Sequence, residues 1–69
     1  MKLSARNIIR GKVARIEKGA VNAQITLEIA PGVEVVSIIT LDSVQSLGLV
    51  EGRAAYAVIK ASSVMVAVD

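Results

Sequence analysis

The sequence predicts an all-β protein, five short strands curled into a small barrel, with one short helix between the third and fourth strands. Three observations carry that prediction. Val21 to Ile29 alternates apolar and polar residues without a break over nine positions, the period of a strand with one buried face. The remaining apolar runs, Glu34 to Thr40, Ala54 to Ala61 and Val64 to Val68, are strand-length and bounded by turn residues. Helical spacing shows only at Leu41, Val44 and Leu47, three residues apart and stopped by Gly48.

The elements follow in order. Gly11 to Glu17 is the first strand, and Val13 and Ile16 lie three apart, so strict alternation fails and a bulge or strong coil is expected there. Lys18-Gly19-Ala20 turns the chain into the alternating strand Val21 to Ile29. Ala30-Pro31-Gly32-Val33 has Pro second and Gly third, the pattern of a type II turn. In the third strand Val35, Ser37 and Ile39 share one face and Val36 and Ile38 the other, so one face packs inward and the other against a neighbouring chain. Leu41 to Gly48 is the short helix, Val50-Glu51-Gly52-Arg53 a turn, and Ala54 to Ala61 and Val64 to Val68 the last two strands. Five strands with a helix between the third and fourth is the order of an OB-like barrel. No repeat or linker divides the chain, so residues 1–69 form a single domain.

Size makes such a domain marginal as a monomer. Surface scaling gives roughly 6,000 Å² buried and about 95 kcal/mol of apolar burial, against roughly 100 kcal/mol for ordering the chain. With no Cys and no His, disulfides and the usual structural metal sites are excluded, which leaves association. A hydrophobic fraction of 54% is more than so small a barrel can hide, and the surplus reads as subunit interface. Charges or Gly interrupt every apolar run well short of the roughly 20 residues a spanning helix needs, and Arg6 and Arg10 stand where an export signal needs apolar residues. A cytoplasmic location is the expectation.

The same composition excludes function classes. Without His, Cys or a glycine-rich nucleotide loop, and with six scattered acids, no enzyme site and no metal cluster can be assembled, and no cofactor is expected. Single-stranded nucleic-acid binding relies on aromatic stacking platforms, and Tyr56 is the one aromatic residue. What remains is the positional skew of charge. Net charge is only +2, but no acid precedes Glu17 while Lys2, Arg6, Arg10, Lys12 and Arg15 do. Ser4-Ala5-Arg6-Asn7 and Lys60-Ala61-Ser62-Ser63 together offer cations, hydroxyls and backbone amides, the chemistry that suits a small anion with no proton to give. Lys60 ends an apolar strand, where its head must reach water or an anion. Second in rank are Lys18, Gly19, Ala20 and Val21, a hairpin whose amides can close over an anion held by a neighbouring subunit, and Thr40 and Ser43, which either bind an anion or cap the helix.

Ser4-Ala5-Arg6-Asn7, Gly11-Lys12-Val13, Lys18-Gly19-Ala20-Val21, Ile38 to Val44 and Val58 to Met65 resemble, in order and spacing, the molbindins, small cytoplasmic Mop-type molybdate-binding proteins built from a single TOBE-type domain. The resemblance implies a homohexamer, a trimer of dimers, holding molybdate or tungstate at subunit interfaces for storage. It implies that Ser4, Arg6 and Lys60 grip the oxyanion with amides near Ala5, Ala61 and Ser62, joined by Thr40 and Ser43. From the residues alone, two other classes stay open: an oxyanion-sensing regulatory or interaction module, and a single-stranded nucleic-acid binder.

Overall fold

A computed structural model describes all 69 residues. Four strands, β1 (Asn7–Lys18), β2 (Asn22–Ala30), β3 (Val33–Thr40) and β4 (Ala54–Ile59), form one antiparallel sheet in the order β3-β2-β1-β4. The helix α1 (Leu41–Ser46) lies between β3 and β4 as expected, and a single 3-10 turn, Ala61–Ser63, follows β4.

The alternation of β2 becomes its burial. Ala23, Ile25 and Leu27 are buried, and with Val13, Val44 and Ala57 they make the core. The bulge expected near Val13 lies between Val13 and Arg15, where the register with β2 shifts by one residue. It keeps Val13 and Ile16 on the inner face although they are three apart, and it coils β1 so that the sheet curls around the core. Gly11 serves the same close approach. A Cβ there would stand 2.7 Å from the Glu28 carbonyl oxygen. Gly32 and Gly52, with φ of 75° and 92°, take the left-handed conformation their turns require.

Two expectations need correction. β1 begins at Asn7 rather than Gly11, because Ile8 and Ile9 point to opposite faces and so show no alternation. The fifth strand does not form within this chain: Val64 to Val68 joins no ladder, since no strand of the same chain lies alongside it. Met65, Val66 and Val68 are each more than 90% exposed. The curled sheet is therefore an open barrel. Its gap is an apolar cleft of about 430 Å³, lined among others by Ile25, Leu27, Ile39, Leu49 and Ala55.

An open barrel is an incomplete one. The chain exposes 5393 Å² of surface, where a self-contained monomer of 7.2 kDa exposes about 4,100 Å². Its radius of gyration is 12.7 Å against about 11 Å for a compact chain of this length. The excess is apolar. Val36 and Ile38 on β3, and Tyr56 and Val58 on β4, all stand on outward faces and are exposed. No helix is long and apolar enough to cross a membrane.

Candidate functional site

The ladder between β1 and β4 begins with Asn7 opposite Ile59. In an antiparallel pair, residues just before Asn7 and just after Ile59 leave the sheet side by side, although more than fifty positions separate them in the chain. Topology thus brings together the two segments that carry the charge skew. Ser4, Ala5, Arg6, Lys60, Ala61 and Ser62 line one pocket, floored by Val58. Of the seven leading candidates only Asn7 is not part of its lining. Val58 was not among the candidates, although strand alternation puts it on the same face of β4 as Lys60.

The pocket contains two cations and no carboxylate. Neither Arg6 nor Lys60 has an ion-pair partner, since the one salt bridge in the chain joins Arg15 to Glu34 at 3.3 Å. In the turn after β4 the amide of Ser63 donates to the Lys60 carbonyl at 2.9 Å and that of Val64 to the Ala61 carbonyl at 3.2 Å. The amides of Ala61 and Ser62, the first two of the turn, have no partner in it. Residues carrying a guanidinium, an ammonium, two hydroxyls and two amides free of the turn's own bonds thus line one pocket, and no carboxylate is among them. Every lining residue except Ala5 is exposed, so the pocket is open to solvent.

The second-ranked residues lie at the far end of β1. Leu41 donates its amide to the Val21 carbonyl at 2.9 Å, which ties the Lys18 to Val21 hairpin to the start of α1. The amide of Gly19 is engaged by the Asn22 carbonyl at 2.8 Å. Thr40 caps the helix: its Oγ1 accepts from the Ser43 amide at 3.0 Å and donates to Ser43 Oγ at 2.9 Å. That arrangement leaves the Ser43 hydroxyl proton free to donate elsewhere. The twelve residues of β1 hold these groups roughly 30 Å from the Arg6 and Lys60 pocket, so the two sets cannot touch one small ion within one chain.

A model of the TOBE domain family matches residues 3–66. The chain is 52% identical over 66 residues, 96% of its length and 97% of the relative's, to molybdenum-pterin-binding protein 3 of Clostridium pasteurianum. It superimposes on a molybdate-binding protein from Sporomusa ovata with a TM-score of 0.90 at 42% identity, covering 97% of this chain and 98% of that one. A third likeness is to the cytoplasmic molybdate-binding protein ModG, solved with molybdate bound. There the TM-score is 0.84 at 52% identity, over 88% of this chain and 43% of that one. These relatives are named as binding proteins, not enzymes. A carboxylate-free donor pocket on an open OB-like half-barrel, matched over nearly its whole length, identifies the chain as a member of the TOBE domain family.

Proposed function

We propose that this protein binds molybdate, and tungstate of the same shape and charge, as a non-enzymatic cytoplasmic storage protein that holds the anion where copies of the chain meet. One observation carries the reading: Arg6 and Lys60 line one pocket with Ser4, Ser62 and unengaged amides, and no carboxylate lines it. A tetrahedral dianion that accepts hydrogen bonds and donates none satisfies all of these groups at once. The likeness to named molybdate-binding proteins supplies the metal, which charge and hydroxyls alone do not distinguish from sulfur or phosphorus.

Assembly belongs to the same reading. The pocket lacks a wall, and the Lys18 to Val21 hairpin and Ser43 lie too far away to supply it from the same chain. A second copy supplies it. The exposed tail Val64 to Val68 and the unpaired outer edges of β3 and β4 are the matching halves of an exchanged strand, which would close the barrel of a neighbour. The assembly is a homohexamer arranged as a trimer of dimers. Isothermal titration of the purified protein with sodium molybdate and with sodium sulfate tests the function. Heat of binding with molybdate and a far weaker response to sulfate is expected, and no binding of molybdate would overturn it.

A further inference from the structure

We propose that Asn7 is a positioning residue for the oxyanion pocket and not one of its ligands, a proposal that rests on the molybdate-binding reading. Its side-chain amide Nδ2 donates to the Ile59 carbonyl oxygen at 3.2 Å, across 52 positions of sequence. Ile59 is the residue immediately before Lys60, and Asn7 the residue immediately after Arg6. Asn7 and Ile59 are also backbone partners at the last rung of the β1–β4 ladder, so the side-chain bond adds a second tie at the point where the two strands part. Beyond it, no hydrogen bond links residues 1–6 to residues 60–69. Asn7 is half-buried and absent from the pocket lining, whereas the residues on either side of the tie, Arg6 and Lys60, both line it.

The physical need for such a tie is electrostatic. Arg6 and Lys60 carry like charge, with no acid between them, and in the anion-free protein they repel. Without a clamp at the strand ends the segments splay, and the anion must spend part of its binding free energy drawing them together. With the clamp, the donors stand converged before the anion arrives.

The test compares the wild-type protein with Asn7→Ala and Asn7→Gln, using molybdate titration and, separately, amide hydrogen exchange of the anion-free proteins. Asn7→Ala is expected to bind molybdate about tenfold more weakly, the effect of one lost hydrogen bond that orders a site. In the absence of molybdate it should speed exchange at the Ser63 and Val64 amides while leaving the core amide of Val13 unchanged. Asn7→Gln, which keeps the donor, should recover both properties. Wild-type affinity in Asn7→Ala would overturn the proposal. So would weakened binding with unaltered exchange at Ser63 and Val64, because that is the signature of a direct ligand. Equal acceleration at Val13 would also overturn it, showing a global loss of stability. Failure of the wild-type protein to bind molybdate strikes the functional reading instead, and the exchange measurement still reports on the tie.

Discussion

Arg6 and Lys60 are unpaired cations on an exposed surface, and their removal costs the fold little while it strips the pocket of its charge. Under the molybdate-binding proposal, Arg6→Ala and Lys60→Ala should each weaken molybdate binding by roughly 10- to 100-fold, as expected for one charged hydrogen bond, with the sedimentation coefficient of the assembly unchanged. Gly11 behaves in the opposite way. Gly11→Ala drives a methyl group against the Glu28 backbone and should lower stability by about 1–3 kcal/mol in chemical denaturation, with molybdate affinity retained by the folded fraction. The two kinds of residue were not equally legible. Ser4, Arg6 and Lys60 stand out in the sequence because their chemistry has no local partner. The tie made by Asn7 and the close packing of Gly11 depend on which residue of another strand lies opposite, and no local pattern encodes that register.

Among the elements, β2 was readable residue by residue, since one face is core and the other is not. The start of β1 was hidden by Ile8 and Ile9, one facing each way, whereas α1 starts at Leu41 as read, with Thr40 as its cap, and ends at Ser46, two residues before the Gly48 stop. Thr40→Ala removes that cap and should cost about 1 kcal/mol in thermal or chemical unfolding, without abolishing the helix. The outward face of β3 leads to a further expectation. Val36 and Ile38 are adjacent outward-facing apolar residues, 57% and 62% exposed in the single chain, and in the proposed assembly they are the surface that a partner covers. Ile38→Asp should therefore dissociate the assembly in sedimentation velocity before it unfolds the chain. An unchanged sedimentation profile would remove β3 from the interface.

At the scale of the whole molecule, the surface excess, the unfilled cleft and the unpaired tail all go with a four-stranded sheet that does not close, and the proposed strand exchange accounts for the three together. Four of the five strands read from the sequence form in the chain, and its apolar content, more than one small barrel can bury, is what pointed to association. Which strand would be left without a partner was not legible, since Val64 to Val68 looks like any other two-faced apolar strand until the sheet order is known. The strand-exchange account places the donor pocket and the assembly on one hinge, since Lys60 to Ser62 lead directly into the tail. Deleting residues 64–69 should then yield single chains that have lost molybdate binding together with assembly. The most direct test of the central claim, that the anion is held only where copies meet, is native mass spectrometry of the full-length protein with molybdate. A multimer carrying molybdate, beside single chains that carry none, is the predicted spectrum. Molybdate retained on single chains, or a multimer that never takes it up, would contradict the account.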